Sequence, residues 1–524
     1  MNTELLGVIG VFLLSIILAI PLGRYIAKVF ANDKTILDPI FNPIERFIFK
    51  VSGIDDLEEM NWKQYLKALL SVNMVWFIVC FFVLLFQGVL PLNPDNNPSM
   101  SPDLAFNTAI SFLVNCNLQH YSGESGLSYF SQMILLFLQF VSAGVGIAAA
   151  VMVFNAMKEK TTTQVGNFYN YFTKSCTRIL LPISIIIAVI LAFSITPMTF
   201  EGKDTITTLQ GDSVEVSKGP AAAFIAIKHL GTNGGGFFGV NSAHPFENPS
   251  YFTNAIELIA QLLIPFAMIF ALGFYLKRKK LAYVVFGVMT IGFLFLVLPT
   301  IHAEMSGNPA ITQMGINQTA GAMEGKEVRF GAPISAFWSI ATTVISTGSV
   351  NSMHDSSMPM SGNMELLAMM VNAFYGGCGV GWLNFYIFII LAVFISGLMV
   401  GRTPEFLGKK IEAREVKIAA FIAILHPFLI LSGTALASYF AANDTAMVYW
   451  FDGNAAGWLN NPGQHGFSEM LYEFTSSAAN NGSGFEGLAD NNPFWNITTG
   501  IVLLLGRFIP IIGPLAIAGL LAGK

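Results

Sequence analysis

The segment Pro220-Ala-Ala-Ala-Phe-Ile-Ala-Ile-Lys-His-Leu-Gly-Thr-Asn-Gly234 predicts a short helix that ends in a polar turn. Proline favours the first turn of a helix, because its φ is already helical and its missing N–H would have no partner there. The helix has about ten residues, whereas a helix that spans a membrane needs about 20. The closing Thr232-Asn233-Gly234 suits a tight turn, since glycine is unrestricted in φ and asparagine tolerates a left-handed conformation.

The same pattern occurs three more times along the chain. Helices that begin at Pro102 and Pro333 lead to polar turns at 115–117 and 346–348. A fourth copy lacks the proline, but residues 469–474 lead into a turn at 480–482. The four turns are 117, 114 and 134 residues apart. Repetition at this interval indicates one structural unit that is used four times.

The composition places these units in a membrane protein. Of 524 residues, 54% are hydrophobic and 11% are charged, against about 25% charged in a typical soluble protein. So few charges could not cover a soluble core of that size. The composition excludes a disordered chain, a basic nucleic-acid-binding protein and a disulfide-stabilised secreted domain. A polytopic protein of the lipid bilayer, with no nucleic-acid partner, is the remaining class.

Nine apolar runs are long enough to cross about 30 Å of hydrocarbon. The first run lacks the basic region that precedes the apolar part of a signal peptide, so we expect it to remain as a span. The nine predicted spans are 4–30, 67–91, 128–157, 178–198, 251–276, 281–301, 364–400, 417–441 and 494–520.

Lysine and arginine are segregated between alternate connections. The connections 24–67, 158–178 (which includes Lys160), 277–280 and 402–417 are basic, and connections rich in these residues face the cytoplasm. This predicts an N-terminus outside and a C-terminus inside. The connection 199–228 is a mild exception on the outer side, because it carries Lys203, Lys218 and Lys228.

The predicted fold is an all-α polytopic membrane protein. An N-terminal transmembrane helix precedes four helix–pore loop–helix repeats, which we expect around a pseudo-fourfold axis. The predicted divisions are 1–66 for the N-terminal helix and its cytoplasmic connection, then 67–160, 161–280, 281–415 and 416–524 for the four repeats.

The chemistry of the four turns favours a cation. Irregular backbone at membrane depth is tolerated only inside protein or around a water-filled cavity. Rings of backbone carbonyls there can replace the hydration shell of a monovalent cation, and the C-terminal ends of the short helices add partial negative charge. Acidic residues of the outer connections, such as Asp95, Asp103 and Asp452, would raise the local cation concentration.

Five strings of sequence resemble the KdpA family, the potassium-binding subunits of bacterial Kdp potassium-transporting ATPases. They extend over almost the whole chain, and the second is highly specific. The resemblance implies a protein of the bacterial plasma membrane that acts as the K⁺-selective, channel-like subunit of an ATP-driven uptake complex. The strings are Asn115-Cys-Asn-Leu-Gln119, Gly231-Thr-Asn-Gly-Gly-Gly-Phe-Phe238, Val350-Asn-Ser-Met-His-Asp355, Gly401-Arg-Thr-Pro-Glu-Phe-Leu-Gly408 and Thr475-Ser-Ser-Ala-Ala-Asn-Asn-Gly-Ser483.

The resemblance also implies partners and K⁺ ligands. The partners would be a P-type ATPase subunit like KdpB, a subunit like KdpC and a small subunit like KdpF, and K⁺ would pass sideways toward the ATPase subunit. Gln119 matches a position that affects affinity in the family. The implied ligands of K⁺ lie on the four turns: Asn115, Cys116 and Asn117; Thr232, Asn233 and Gly234; Ser346, Thr347 and Gly348; Asn480, Asn481 and Gly482.

Two features depart from the family pattern. Family members usually have a further spanning helix at the C-terminus, whereas this sequence ends at Lys524. An alignment of 240–244 with 350–354 would also move the second turn by four residues. We prefer the alignment from the prolines, because the helices that they begin set the depth of the turns.

The glycine-rich stretch 374–381 interrupts the seventh apolar run, and clustered glycines break a helix. We interpret it as a gating or tunnel-lining loop, with close helix packing through small residues as the alternative. Arg402, at the cytoplasmic end of this run, is either an ordinary positive-inside residue or a contact with a partner.

The sequence predicts no catalytic site. Asp33-Lys34-Thr35 matches three residues of the Asp-Lys-Thr-Gly phosphorylation site of P-type pumps, but Ile36 replaces the glycine and the connection is too short for a nucleotide domain. Three alternatives remain open. They are a stand-alone K⁺ channel or symporter of the same superfamily, an assembly subunit with an inactive pore, and a secondary transporter, which would show two inverted halves.

Overall fold

A computed structural model describes residues 3–158, 161–443 and 455–524. Lys160 and Asp452, which entered the charge pattern above, lie outside the described residues. Within these ranges the chain is helical apart from turns, connections and two antiparallel strand pairs. The pairs are Asp204–Thr207 with Ser213–Val216, and Glu405–Phe406 with Lys409–Lys410.

Nine helices of the described ranges are long and apolar enough to cross a membrane, as the sequence predicts. The chain is therefore a multi-pass membrane protein. The fourth begins ten residues before its predicted start and contains a π-helical turn at Ser175–Leu180. The nine are Glu4–Phe30, Trp62–Val89, Tyr129–Lys158, Phe168–Phe193, Tyr251–Tyr275, Lys279–Gln313, Val380–Val400, Ala413–Ala442 and Pro493–Ala522.

Four shorter helices, here called pore helices 1 to 4, each lie between two spans in the chain. Their residues are buried on almost all sides, which is the position expected of a helix enclosed by others. Pore helix 4 has no proline and begins after Gly463, five residues earlier than predicted. The pore helices are Pro102–Leu113, Ala221–Leu230, Ala332–Val344 and Gln464–Ala479.

The connections meet at two opposite ends of the spans. At one end, here called the loop face, Tyr129 Oη donates to the Glu201 carbonyl at 2.7 Å. The loop face comprises 90–101, 114–128, 194–220, 231–250, 307–331, 345–358, 455–463 and 480–492. At the other end, here called the basic face, the N–H of Met60 donates to the Gly166 carbonyl at 3.0 Å. The basic face comprises 31–61, 161–167, 276–278 and 401–412.

The first connection of the basic face contains an amphipathic helix, Asp38–Ser52. Arg178 holds this helix against the fourth span: its guanidinium lies 2.7 Å from an Asp38 oxygen and 2.5 Å from a Glu45 oxygen. The inner side of the helix is thereby tied to the bundle. Its outer side exposes apolar residues, among them Phe47.

The prediction of one span over 364–400 is wrong. The run forms two helices, Pro359–Val371 and Val380–Val400, of which the second is long enough to span. Between them the backbone turns back sharply, with φ of 77° at Gly376. A Cβ at Gly376 would overlap Gly381, so a glycine is required where these two backbone segments touch. The predicted break is therefore present, and we refer to residues 372–379 as the broken segment.

Candidate functional site

The four pore helices end in the same backbone turn. The first residue of each turn is left-handed, with φ between 51° and 64°, and the N–H of the next residue donates to the carbonyl five residues before it, as in a Schellman motif. The left-handed residues are Asn115, Thr232, Ser346 and Asn480. The bonds are Cys116 to Ser111 (3.0 Å), Asn233 to Lys228 (2.8 Å), Thr347 to Thr342 (2.9 Å) and Asn481 to Ser476 (2.9 Å).

The left-handed residues of the first three turns occupy the positions that correspond to one another when the repeats are aligned by the prolines that begin their helices. A shift of the second turn by four residues would place Thr232 out of step with Asn115, although the two share the left-handed conformation. The equivalent residues of the turns are therefore those that the helix starts indicate.

The second turn is strained and is held by the first. A β-branched residue such as Thr232 rarely adopts a positive φ, and the conformation costs about 1–3 kcal/mol. The Asn115 side-chain amide donates to the carbonyls of Gly231 at 3.0 Å and Thr232 at 2.9 Å. The first turn thus holds the second in its strained conformation.

The turns converge on one point. The N–H of Gly234 donates to the Cys116 carbonyl at 2.8 Å. A Cβ at Gly234 would lie 2.5 Å from this oxygen and 2.9 Å from the carbonyl oxygens of Thr347 and Asn481. Carbonyl oxygens of the first, third and fourth turns therefore surround the backbone of the second.

Several asparagine side chains of the turns support the backbone. The Asn481 amide donates to the Thr342 carbonyl at 2.8 Å, and the Asn480 amide to the Leu503 carbonyl at 3.1 Å. The predicted ligands were whole residues, whereas the structure separates converging carbonyls from side chains that support the backbone. Among the described residues, the buried amide of Asn117 and the hydroxyl of Thr347 have no hydrogen-bond partner. Buried polar atoms of this kind are normally satisfied by water or an ion.

Gln119 lies on the loop-face side of the turns. Its Nε2 donates to the Gly236 carbonyl and to Tyr121 Oη, both at 3.1 Å. Gln119 therefore links the first and second repeats immediately beside the convergence point.

Arg507 and the broken segment lie on the side of the turns that faces away from Gln119. A cavity of about 10 Å³, with room for about one water molecule, lies beside Arg507 and Gly377. Arg507 is buried, donates to the Ser142 carbonyl at 3.1 Å, and forms no ion pair with the described residues. From the broken segment, Cys378 Sγ donates to the Gly231 carbonyl at 3.0 Å. The Arg507 guanidinium and the backbone of the broken segment thus lie next to the turns, on the side opposite Gln119.

Arg507 was not among the predicted site residues, and Lys228 was predicted only as a charge of an outer connection and a member of a short helix. Arg507 is an isolated arginine inside an apolar span, a position that indicates function. Lys228 was counted with the outer connection 199–228, although the short helix predicted from Pro220 also contains it; the structure places it in pore helix 2, fully buried and paired with Glu247. A lysine within a ten-residue apolar helix was the available signal.

His120 anchors a polar cluster on the loop face. Its Nδ1 lies 2.6 Å from Asn496 Oδ1, and its Nε2 lies 3.3 Å from Glu473 and 3.9 Å from Asp490. The Asn496 amide donates to Asp103 at 2.7 Å. Burial lowers the pKa of His120, but the carboxylates of Asp490 and Glu473 outweigh it and raise the pKa to about 9. The cluster therefore binds an imidazolium between repeats 1 and 4 at neutral pH.

Replacing His120 with glutamine should destabilise the protein in a pH-dependent way. Because the folded pKa of about 9 lies above the unfolded value, the stabilisation is fully present below about pH 6.5 and is lost as the pH rises through 9. Thermal unfolding in detergent should show a wild-type advantage of about 3 kcal/mol at pH 6.5 that shrinks by pH 9.5. His465→Gln, at a half-exposed histidine of the same face, is the control. An equal loss at every pH would contradict the ion pair.

Known proteins resemble this chain over nearly its whole length. The family model described as "KdpA: Potassium-transporting ATPase A subunit" matches residues 9–524. A relative from Flavobacterium psychrophilum, named potassium-transporting ATPase potassium-binding subunit, is 83% identical over all of this chain and 91% of its own length. A relative of the same name from Phocaeicola vulgatus is 59% identical over all of this chain and 92% of its length.

A solved structure shares the fold. The potassium transporter TrkH from Vibrio parahaemolyticus superimposes with a TM-score of 0.52 at 16% identity, covering 98% of each chain. At this identity the likeness shows architecture alone, and that architecture is the one predicted, with four pore helices inside a bundle of spans. With a family model that covers nearly the whole length and relatives above 80% identity, the chain belongs to the family of potassium-transporting ATPase A subunits.

Proposed function

We propose that this protein is the K⁺-selective, channel-like subunit of an ATP-driven, high-affinity potassium uptake complex. The observation that carries the proposal is the convergence of carbonyl oxygens from Cys116, Thr347 and Asn481 on the backbone at Gly234. Carbonyl oxygens at such a point can replace the water around a dehydrated K⁺. The relatives' name, potassium-binding subunit, supports the same ion.

In this proposal K⁺ binds among the predicted turn residues. Their backbone carbonyls act as ligands, and the unpartnered Asn117 amide and Thr347 hydroxyl face polar surroundings that an ion or water completes. The division into an N-terminal helix and repeats at 67–160, 161–280, 281–415 and 416–524 remains part of the proposal.

Energy for uphill uptake would come from partners. We propose a P-type ATPase subunit of the KdpB kind, with KdpC-like and small KdpF-like subunits. Arg507 and the broken segment lie across the direct route to the basic face, so K⁺ would leave sideways toward the ATPase subunit. A stand-alone channel would instead need an open route through this end.

The proposal is tested by purifying the tagged chain from its bacterial membrane and titrating K⁺. We expect the ATPase subunit to co-purify, ATP hydrolysis to rise with K⁺, and K⁺ to bind more tightly than Na⁺. The isolated chain should bind K⁺ without hydrolysing ATP. Purification without an ATPase subunit, with K⁺ flux retained, would favour a stand-alone channel or symporter.

The distribution of lysine and arginine between the connections supports an orientation with the loop face outside the cell and the basic face in the cytoplasm. Ser99 and Lys279 are exposed on these two faces. In a Cys176→Ser background, where the remaining native cysteines are buried, we expect an impermeant thiol reagent to label Ser99→Cys and not Lys279→Cys in intact cells. Labelling of Lys279→Cys but not of Ser99→Cys would show that the opposite orientation is correct.

Gln119→Arg should weaken apparent K⁺ affinity by about tenfold. The guanidinium would put a positive charge beside the turns, where part of the water is excluded and repulsion of a cation is worth a few kcal/mol at most. The measurement is K⁺-dependent uptake across a concentration series. Gln119→Met, which removes the bonds to Gly236 and Tyr121 without adding charge, should have a smaller effect. An equal effect of the two variants would contradict the electrostatic explanation.

A further inference from the structure

One position breaks the chemical symmetry of the four pore helices. The residues whose carbonyls accept the turn-closing bond are Ser111, Lys228, Thr342 and Ser476. Two of the three hydroxyls bond the end of the turn or the residue after it: Ser111 Oγ donates to the Leu118 carbonyl at 2.9 Å, and Ser476 Oγ accepts from the N–H of Gly482 at 3.0 Å. In pore helix 2 the equivalent side chain is a fully buried lysine.

The Lys228 ammonium is completely engaged. It contacts a carboxylate oxygen of Glu247, lies 2.6 Å from Asn241 Oδ1 and lies 3.1 Å from Ser242 Oγ. Glu247 is also fully buried. A buried charge is tolerated only when it is paired and hydrogen-bonded. The lysine therefore adds no net positive charge next to the turns.

Three donors fix the orientation of the Asn241 amide, and the Lys228 ammonium is the nearest of them. An ammonium group can only donate, so the amide oxygen must be turned toward it. The same oxygen accepts from the N–H of Ser242 at 3.0 Å and from Ser349 Oγ at 3.3 Å. The amide nitrogen consequently faces the turn, where it donates to the carbonyl of Gly234 at 2.8 Å.

We propose that Lys228, paired with Glu247, is a positioning residue for ion selection. Acting through Asn241, it holds the Gly234 carbonyl in one direction and so sets the spacing of the turn that the other three surround. This rests on the proposed K⁺ site. Discrimination between monovalent cations of different size depends on that spacing and on how firmly the carbonyls are held.

The consequence is a change in selectivity rather than only in rate. Without the ammonium, the Asn241 oxygen loses the only charged one of its three donors, so the amide and the Gly234 carbonyl that it binds are held less firmly. We expect Lys228→Met to reduce discrimination of K⁺ against Rb⁺ and Na⁺ by about tenfold, the effect of losing a hydrogen bond that involves a charged group. Lys228→Arg keeps a donor and a charge, and should restore part of the discrimination.

The experiment measures K⁺, Rb⁺ and Na⁺ competition in membranes that contain the assembled complex with its partners. Because selectivity is a ratio, it is read from whatever fraction assembles. Asn241→Asp is the second variant: it retains an oxygen for Lys228 but has no amide to donate to Gly234, so it should lose the same discrimination. Lys326→Met is the matched control, because it removes another buried ion pair, Lys326–Glu304 at 2.9 Å, away from the turns.

The outcomes separate this inference from the proposed function. A loss of discrimination in Lys228→Met and Asn241→Asp, with normal discrimination in Lys326→Met, supports it. Unchanged discrimination in the first two variants, while Gly234→Asp abolishes selectivity, overturns the positioning role and leaves the K⁺ site standing. A wild-type complex with no preference for K⁺ would overturn both.

Discussion

Gly234→Asp is expected to abolish selective high-affinity K⁺ uptake. The added Cβ would lie 2.5 Å from the Cys116 carbonyl oxygen and 2.9 Å from those of Thr347 and Asn481, closer than real Cβ atoms approach. The carboxylate would extend further toward the point where the turns meet. Overpacking of this kind costs about 1–3 kcal/mol, which corresponds to about fivefold to 150-fold in affinity.

The measurement for Gly234→Asp is K⁺ and Rb⁺ uptake by cells that depend on this complex. Gly457→Asp is the matched control, because nothing lies within 4 Å of a Cβ at that exposed glycine. Both variants should assemble with the partner subunits. Normal affinity and K⁺/Rb⁺ discrimination in an assembled Gly234→Asp complex would show that the four turns are not the selective site.

Arg507→Met is expected to open a leak. The guanidinium is buried beside the small cavity below the turns and has no ion-pair partner among the described residues, so its charge repels a cation that leaves the turns downward. Methionine has similar length and no charge. Passive K⁺ flux through the reconstituted complex should rise about tenfold or more in the absence of ATP, since even about 1.4 kcal/mol of lost repulsion has this effect.

The control for the leak is Arg414→Met, at an exposed arginine near the basic face. It should leave passive flux at the wild-type level. Flux that stays at background in Arg507→Met would mean that the broken segment alone closes the path.

The turns were predictable because their signals are local. A proline at the start of a helix, a length too short to span, and Asn or Gly at the end each restrict the backbone within a few residues. The same reasoning found the break near Gly376. It failed at the start of pore helix 4, where no proline marks the first turn and Gly463 supplies the change of direction.

The side chains around the site were not predictable in the same way. Asn115 contacts the second turn only because the fold brings together segments that are 117 residues apart. Lys228 contacts Asn241 only because the chain turns back on itself between them. Charge counting assigns a lysine to a loop by default, since an unpaired lysine is costly inside a protein. Its partner, Glu247, is 19 residues away and gives no periodic signal.

The single lysine at position 228 also bears on why four units are joined in one polypeptide. A ring of four identical subunits would carry every substitution four times, and a lysine at this place would set four ammonium groups around one ion path. When the four units are joined in one polypeptide, each unit can change independently of the others. The second unit could then acquire Lys228, the fourth could lose its proline, and the third could acquire the broken segment, while all four kept the same turn.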